Sequence, residues 1–525
     1  MVPIMYMLNM FHDLEENTQM QTRREFLKSL SFGMAALSLT GYRTGIAQVS
    51  KSKPSKKPNI IFIMADDMGY GDVACYNEES QIPTPNIDRL AEEGIKFTDA
   101  HTPSAVCTPT RYGFLTGRYC WRSRLKRGVL GGYSQPLIEN DRMTVATLLQ
   151  DQGYKTSCIG KWHVGVGWQA KEGGPIKNNR DVARVDYNKP LTDGPNTHGF
   201  DYSFITSGCS TVEPPYVFIE NGQCLGIPSV WMDTKCNGLT YGCDPGLKVP
   251  DWSTENVDPT FTQKAIQYIN NHQKTGSEAP FFLYLALSAP HAPWKPPVFI
   301  RGQSCAGPRG DLVGLVDWSV GEITKTLDQL NISDNTLIIV TSDNGPRVAD
   351  PNTHQSSGKL RGYKSHIWEG GHRVPFIARW PGKIKPATSS DETICLTDLL
   401  ATFAAMTGGQ LPSNAGEDSY NILPALLGQD YDKPIREATV HHSSHAIYAI
   451  RKGDWKLIVG TNGSGGWVFP ADERDGNVSE TLGQLYNLRE DPSEKKNLWD
   501  DKPDKVKDLK ALLTKYQHQG YSRPI

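Results

Sequence analysis

The sequence predicts an α/β fold, a mostly parallel sheet flanked by helices, followed by a smaller C-terminal α+β domain. Continuous apolar runs, of the kind found in strands buried on both faces, alternate with segments whose apolar residues recur at helical spacing. Such alternation is typical of parallel sheets. After about residue 410, short strand-like runs separated by turns replace it. A chain of 525 residues can hold about two to four domains.

Each predicted element has its own local signal. The predicted buried strands are apolar runs at residues 60–64, 156–160, 281–287, 337–340 and 376–378. The predicted helices between them cover residues 87–93, 144–152 and 312–330. Gly94 and Gly153 directly follow the first two, and glycine often ends a helix because it adopts the left-handed conformation without strain. The C-terminal strands are predicted at 449–450, 455–459 and 484–488, before a helix at 504–518.

The N-terminal residues are typical of an export signal. Arg23 and Arg24 precede a short apolar stretch at 29–40, and small residues up to Ala47 provide a cleavage site. We expect a twin-arginine signal peptide over 1–47, a basic linker over 48–58, a large α/β domain over 59–410 and a C-terminal α+β subdomain over 411–525. This signal predicts a bacterial protein that the twin-arginine translocation machinery exports, already folded, to the periplasm or the medium. The alternative to an export signal is an uncleaved amphipathic segment. Either Met1 or Met20 can be the start of translation, because residues 1–19 add nothing recognisable to a signal.

Charge and cysteine content exclude several classes of protein. Lys and Arg number 55 and Asp and Glu number 57, so no basic excess exists to neutralise the phosphates of a nucleic acid. No apolar run reaches the roughly 18 residues of a transmembrane span. The ten cysteines are too sparse for a small disulfide scaffold, and no Cys-x-x-Cys pair indicates structural zinc. An oxidising destination permits local pairing within the Gly-rich cluster of Cys209, Cys224, Cys236 and Cys243.

Polar side chains that can bind a metal or take part in catalysis follow four of the predicted strands. They are Asp66 and Asp67, Lys161 and His163, His291, and Asp343 and Asn344. In open α/β sheets ligands bind beyond the carboxyl ends of the strands, so we expect these side chains to converge. Carboxylate and amide oxygens suit a hard cation such as Ca²⁺ or Mg²⁺.

A further motif begins at Cys107. The sequence Cys-Thr-Pro-Thr-Arg over 107–111 is followed by Leu-Thr-Gly-Arg over 115–118. Pro109 fits the first turn of a helix, which would place residue 107 at a helix N-terminus, where the dipole favours an anion. Arg111 lies one turn further on and can either reach that anion or serve as a structural ion-pair partner.

These residues resemble the first signature of the type I sulfatases, which is Cys-x-Pro-x-Arg followed by Leu-Thr-Gly-Arg. The second signature of that family is Gly-Lys-Trp-His, which this chain has at 160–163. The resemblance extends from residue 59 to about 382 and resumes in short motifs between 484 and 498. It implies an alkaline-phosphatase-like fold for the catalytic domain at 59–410. It also implies one Ca²⁺ per chain and conversion of Cys107 to formylglycine (3-oxoalanine) by a maturation enzyme. The metal ligands that it implies are Asp66, Asp67, Cys107, Asp343 and Asn344.

By the same resemblance, the catalytic residues are Cys107, Arg111, Lys161, His163, His291 and Lys364. Lys364 is included because it stands five residues before the Glu of a Glu-Gly-Gly element, and Lys359 and His366 are weaker alternatives. The resemblance implies His163 as the base that releases sulfate. It leaves the protonation of the departing alcohol to either His291 or Lys364.

The implied activity is hydrolysis of sulfate esters. A segment at 215–221 is similar to glycan-active bacterial sulfatases likened to N-acetylgalactosamine-6-sulfatase, which favours a sulfated polysaccharide or oligosaccharide, algal or animal. Either exo or endo action is compatible with the sequence. One alternative is a phosphodiesterase or phosphonate monoester hydrolase of the same fold, against which Lys161, His163 and a single metal site argue. The other is a glycan-binding protein without activity, which would have no reason to retain the reactive residues.

Overall fold

The computed structural model describes residues 56–233, 243–347, 354–467 and 483–524. The predicted signal peptide at 1–47, most of the predicted linker and Cys236 lie outside the described residues.

The strands include all the predicted ones, each within a few residues of its predicted bounds. In chain order they are β1 (Asn59–Ala65), β2 (Ile95–Phe97), β3 (Ala100–His101), β4 (Lys155–Lys161), β5 (Tyr202–Thr206), β6 (Ile219–Glu220), β7 (Gln223–Cys224), β8 (Val230–Met232), β9 (Gly246–Lys248), β10 (Phe281–Ala286), β11 (Thr336–Ser342), β12 (Phe376–Arg379), β13 (Thr388–Ser390), β14 (Ile394–Cys395), β15 (Thr439–His442), β16 (Tyr448–Lys452), β17 (Trp455–Val459) and β18 (Gly483–Asn487).

The α-helices lie between these strands, except the last, which follows β18. They are α1 (Pro85–Glu92), α2 (Cys107–Thr116), α3 (Val145–Asp151), α4 (Val257–Lys274), α5 (Gly307–Gln329), α6 (Glu369–His372), α7 (Leu399–Thr407), α8 (Leu423–Leu426) and α9 (Pro503–Gln519). The predicted helix at 312–330 begins earlier, because Pro308 occupies the first turn, where its missing N–H leaves no bond unmade.

The large sheet has ten strands in the order β13-β2-β12-β11-β1-β10-β4-β5-β6-β7. Its centre, from β11 to β5, is entirely parallel. Every residue of β1, β10 and β11 is buried, as expected of strands covered by helices on both faces. The predicted α/β fold is therefore confirmed. The apolar run at 376–378 forms β12, which pairs with β11 in the antiparallel direction, an orientation that an apolar run cannot indicate.

The C-terminal region forms a second, antiparallel sheet in the order β15-β16-β17-β18. Helix α9 covers it and buries Val506, Leu509, Leu513 and Tyr516, so the predicted α+β architecture is confirmed. Residues of α8 pack into the core of the large sheet, whereas the second sheet begins at Thr439. The domain boundary between 410 and 411 stays a prediction.

No described helix is long and apolar enough to cross a membrane. Cys209 and Cys224 are free thiols, so neither of them pairs with another described cysteine. Their surroundings differ, since the Cys209 thiol contacts the buried Lys161 ammonium, whereas Cys224 is only half-buried. The sequence leaves open which cysteines of this cluster pair, and the structure excludes Cys209 and Cys224 from pairing with a described cysteine.

Candidate active site

The ends of β1 and β11 bring four oxygen-bearing residues together. The two strands pair in parallel up to Ala65 and Ser342, so that Asp66 and Asp67 lie beside Asp343 and Asn344. Asp343 N–H donates to the Ala65 carbonyl over 3.1 Å, and Asp67 N–H lies 3.3 Å from Asp343 Oδ1. Parallel pairing therefore achieves the convergence that the sequence predicts for these residues.

The backbone at Asp67 is left-handed, with φ of 69°, which is uncommon for a residue other than glycine. Arg309 on α5 holds this bend, because its Nη2 donates to the Asp67 carbonyl over 3.1 Å. The Arg309 guanidinium is itself fixed by Asp72, with distances of 2.8 and 2.6 Å. Sequence reasoning missed this buried pair, whose two residues are far apart in the chain.

Three oxygens at these strand ends are buried and have no hydrogen-bond partner among the described residues. They are Asp66 Oδ1, Asp67 Oδ2 and Asn344 Oδ1. Leaving a buried acceptor unsatisfied costs about 1–3 kcal/mol. Unpaired carboxylate and amide oxygens are what a hard cation binds, so these residues fit Ca²⁺ or Mg²⁺.

Three cations lie against the carboxylates. The Lys161 ammonium is 2.6 Å from Asp66, the Lys364 ammonium is 2.6 Å from Asp67, and Arg111 Nη2 is 2.7 Å from Asp343. Burial opposes ionisation of Asp66, but the neighbouring cations, Lys161 first, hold its pKa well below its usual range. Burial and the charge of Asp66 raise the pKa of Asp343 to about 6.

Arg111 is fully buried, and its donors are engaged within the protein. Its Nε and Nη2 both bond Asp343 Oδ2, at 3.0 and 2.7 Å, and its Nη1 donates to the Lys161 carbonyl over 3.0 Å. Through these contacts Arg111 holds Asp343 and the end of β4 in place.

Cys107 is the first residue of α2, as Pro109 predicts, and it is buried. Its Sγ lies 3.4 Å from the Lys364 ammonium. Ligand atoms of Asp66, Asp67, Cys107 and His291 all lie within 4.8 Å of one another. Burial raises the pKa of the thiol to about 12, so that it stays protonated at neutral pH and is a poor nucleophile.

Lys161 is the last residue of β4, and His163 follows two residues later. Lys161 Nζ contacts both Asp66 and the Cys209 thiol, the latter over 3.2 Å. His163 has a left-handed backbone, with φ of 55°, and its Nε2 donates to the Leu130 carbonyl over 2.6 Å.

His291 reaches the site from the end of β10. Its Nδ1 donates to the Ala292 carbonyl over 2.8 Å, and its Nε2 lies 3.7 Å from Asp67 Oδ2. Burial and the nearby Lys364 ammonium lower the pKa of His291 to about 4, so its ring is neutral in the ligand-free protein.

Of the three polar residues considered near the Glu-Gly-Gly element, Lys364 is the one that lies in the site. Lys359 is exposed, and His366 Nε2 donates to the Trp467 carbonyl over 2.8 Å. The backbone on either side of Lys364 is fixed by bonds from Lys364 N–H to Pro346 and from Ser365 N–H to Ala105, both 2.7 Å.

A sequence profile of the sulfatase family matches residues 58–409. The chain belongs to the sulfatase family. A second profile, described as the C-terminal region of N-sulphoglucosamine sulphohydrolase, matches residues 362–519 of this sulfatase.

This sulfatase is 36% identical over 517 residues to an N-acetylgalactosamine-6-O-sulfatase of Bacteroides thetaiotaomicron, a match covering 90% of this chain and 96% of the relative. It is 33% identical to human arylsulfatase A, with 85% of this chain and 84% of the relative covered. A solved structure from work on the metabolism of glycosaminoglycans by Bacteroides thetaiotaomicron is 35% identical, with a TM-score of 0.76 and coverage of 88% and 99%. The Pseudoalteromonas sulfatase PsFucS1 is 27% identical, with a TM-score of 0.67 and coverage of 89% and 92%.

These matches confirm the family and the alkaline-phosphatase-like fold, and the protein is a sulfuric ester hydrolase. The structure brings every sequence-predicted site residue to one place. It also adds Asp72, Arg309, Cys209 and Glu213, which sequence reasoning did not select. For Cys209 the sequence offered a signal, its place just after the apolar pair Phe204-Ile205 of β5, but β5 was not predicted as a strand.

Proposed function

We propose that this sulfatase hydrolyses sulfate esters of a glycan with formylglycine at position 107 and one Ca²⁺. The observation that carries the proposal is that Cys107 lies beside the Lys364 ammonium and close to Asp66 and Asp67, each of which has a carboxylate oxygen without a hydrogen-bond partner among the described residues. Because the buried thiol is protonated, an unmodified Cys107 is poorly suited to attack. A formylglycine-generating maturation enzyme would supply an aldehyde whose hydrate provides the nucleophilic hydroxyl.

Asp66, Asp67, Asp343 and Asn344, with residue 107, would hold the cation. Bound Ca²⁺ would supply positive charge that offsets the negative oxygens of a sulfate group. The donor set supports this assignment, since three of its oxygens have no hydrogen-bond partner among the described residues.

Side chains of the protein would bind the sulfate group and transfer the protons. Lys161 and Lys364, both buried, would bind sulfate oxygens and stabilise the charge that develops on them. Arg111 would keep Asp343 in position. His291 would protonate the departing alcohol, gaining its proton as the negative sulfate group binds beside it. His163 would take a proton in the step that releases sulfate.

For the substrate we propose a sulfated amino-sugar glycan, with a 6-O-sulfate as the first candidate. The support is the 36% identity, across 90% of this chain, to a relative named N-acetylgalactosamine-6-O-sulfatase. The relatives named above are sulfatases, which favours sulfate esters over the alternative of a phosphodiesterase or phosphonate monoester hydrolase.

For the location we propose the periplasm or the medium, reached through the twin-arginine machinery, on the basis of Arg23 and Arg24 before the apolar stretch at 29–40. Replacing both arginines by lysine should retain the precursor in the cytoplasm. Export of that variant through the route for unfolded chains would refute the twin-arginine assignment.

The test of function uses enzyme produced together with a formylglycine-generating enzyme. The peptide that contains residue 107 should show the mass of the aldehyde, and the enzyme should release sulfate from N-acetylgalactosamine 6-sulfate. The matched 6-phosphate should be hydrolysed far more slowly. Full activity of protein that contains only the thiol, or faster hydrolysis of the phosphate, would contradict the proposal.

A further inference from the structure

We propose that Glu213 is a positioning residue for His163, holding the imidazole so that Nδ1 accepts the proton when sulfate leaves residue 107. The inference rests on the proposed function and extends it to a carboxylate that follows strand β5.

The hydrogen bonds of His163 determine where its proton lies. Nε2 is 2.6 Å from the Leu130 carbonyl and 3.3 Å from Glu213 Oε2. A carbonyl can only accept, so Nε2 carries the proton and Nδ1 of the neutral ring carries the free electron pair. Nδ1 is buried and has no hydrogen-bond partner among the described residues, which leaves it for a reacting group.

The Glu213 carboxylate is held tightly at this position. Its Oε2 also accepts from Cys209 N–H over 2.8 Å. A Cβ on Gly208 would lie 2.6 Å from the same oxygen and 2.8 Å from the backbone of Gly132, so the close packing around the carboxylate needs a glycine at 208. The loop after β5 contacts His163 again through Ser207, whose carbonyl accepts from His163 N–H over 3.3 Å.

The backbone of His163 is connected directly to the residue after the nucleophile. Thr108 Oγ1 donates to the His163 carbonyl over 2.8 Å and accepts from Leu130 N–H over 3.1 Å. The same Leu130 whose carbonyl accepts from His163 is thus bound to the first turn of α2. These bonds set the distance between His163 and residue 107 independently of the Glu213 charge.

The charges around His163 explain why a carboxylate is needed. Burial, Lys161 and Arg111 all lower the pKa of His163, while Glu213 raises it. A base that accepts a proton beside two cations gains from a nearby anion, which stabilises the imidazolium, as the carboxylate of a catalytic triad does. Glu213 is the carboxylate that lies against the His163 ring.

The step assisted by Glu213 conserves atoms and charge. Nδ1 of His163 takes the proton from the free hydroxyl of sulfated residue 107. The electron pair of that O–H bond forms the carbon–oxygen double bond of the aldehyde, and the bond from carbon to the sulfate oxygen breaks. Sulfate leaves with the electrons of the broken bond, and Glu213 exchanges no atom.

The experiment compares Glu213→Gln with the wild-type enzyme, both with the aldehyde at residue 107 verified by mass, on nitrophenyl sulfate. Glutamine retains the size and can still accept from Cys209 N–H, but it lacks the charge. The variant should release a burst of about one nitrophenolate per aldehyde-bearing site, and then turn over with kcat about 10–100-fold lower, less than the full contribution of a general base. Its kcat/KM should stay within about twofold of wild type, because that ratio reports only the steps up to cleavage of the ester.

Two further variants separate charge from structure. Glu213→Asp, which retains the charge, should recover part of kcat. Glu220→Gln removes a carboxylate from β6 that bonds Tyr202 and Lys264 instead, and it should behave as wild type. A parallel loss of kcat and kcat/KM in Glu213→Gln, or an unchanged kcat, would overturn the role of Glu213 alone. A wild-type enzyme that bears the aldehyde yet hydrolyses no sulfate ester would refute the proposed function, and the role of Glu213 with it.

Discussion

At the scale of single residues, the site is a set of buried charges that compensate one another. Lys161, Lys364 and Arg111 each lie within 2.7 Å of a different carboxylate. Removing one partner of a buried pair leaves an uncompensated charge and typically costs about 3–5 kcal/mol. Substitutions here therefore affect folding as well as catalysis, and the most informative tests compare two substrates or two metal conditions in one variant.

His291→Ala should slow a sugar sulfate much more than a nitrophenyl sulfate. A sugar alkoxide is a poor leaving group and needs a proton, whereas nitrophenolate leaves without one. A general acid contributes about 10²–10⁴-fold, and that contribution should shrink for the aryl ester. The measurement is the ratio of the two losses in kcat/KM. Equal losses would show that His291 binds sulfate instead, and Lys364 would become the proton donor.

Asp343→Ala should abolish activity and the effect of calcium on stability. In the wild type, chelation should lower Tm and added Ca²⁺ should restore it, because the cation relieves repulsion among the carboxylates. In the variant, Tm should be the same with and without calcium. Asp258→Asn, which alters a buried carboxylate outside the oxygen set, is the control and should keep the wild-type calcium shift. If chelation leaves wild-type turnover intact, the metal assignment is wrong.

At the scale of elements, helices fix the loops that carry the candidate catalytic residues. Asp258, in the first turn of α4, accepts from Ser288 N–H over 2.7 Å and so anchors the segment between β10 and His291. Burial raises the pKa of Asp258 from 3.8 to about 7. The anchor is therefore maintained by a carboxyl group that is partly protonated near neutral pH.

Asp258→Asn should stabilise the protein above pH 7 and change little near pH 4. The pKa of this carboxyl group is higher in the folded protein than in the unfolded chain. The folded state therefore loses stability progressively as pH rises from the pKa in the unfolded chain to the pKa in the folded protein. Asparagine removes that penalty, which is on the order of 2–4 kcal/mol since one pKa unit corresponds to about 1.4 kcal/mol. Denaturant unfolding at pH 4 and pH 8 measures the difference. Asp251→Asn, at an exposed turn, is the control, and a gain of equal size at both pH values would contradict the assignment.

At the scale of the whole molecule, the C-terminal sheet supports the Lys364 loop. Ile367 N–H donates to the Ser464 carbonyl over 2.8 Å, and Ser444 N–H donates to the Ser365 carbonyl over 3.1 Å. The fully buried Lys456 of β17 lies 3.1 Å from Glu369, which follows the Lys364 loop in the chain, and 2.8 Å from Glu494. The position of Lys364 thus depends on strands that begin some 80 residues later in the chain.

Lys456→Met should destabilise the protein by about 3–5 kcal/mol, because two buried carboxylates lose their cation. It should also lower kcat/KM through displacement of the Lys364 loop. Lys452→Met is the matched control, since Lys452 pairs with Glu437 over 2.8 Å at the surface, where about half of each side chain is exposed. Lys452→Met should lower the free energy of unfolding by less than about 1 kcal/mol. Similar losses in the two variants, measured by denaturant unfolding, would show that the buried network does not support the loop.

Sequence patterns predicted the elements whose signal is local. The apolar runs of β1, β10 and β11 and the glycine-terminated helices α1 and α3 were placed within a few residues. Strand β5 was missed because Tyr202–Thr206 mixes polar and apolar residues and takes its burial from its neighbours. Helix α4 was missed for the same reason, since its polar residues outnumber the apolar ones that it buries.

By itself, the sequence determined the family, the start of α2 at Cys107 and the polar residues at the strand ends, because each of these is a short pattern of neighbouring residues. The tertiary structure decided the partners: Arg111 with Asp343, Arg309 with Asp72, and Glu213 with His163. These contacts join residues that are 50 to more than 230 positions apart, as the numbering shows. Such pairings depend on strand order and on the direction in which buried side chains point, and both arise only when the sheet has formed.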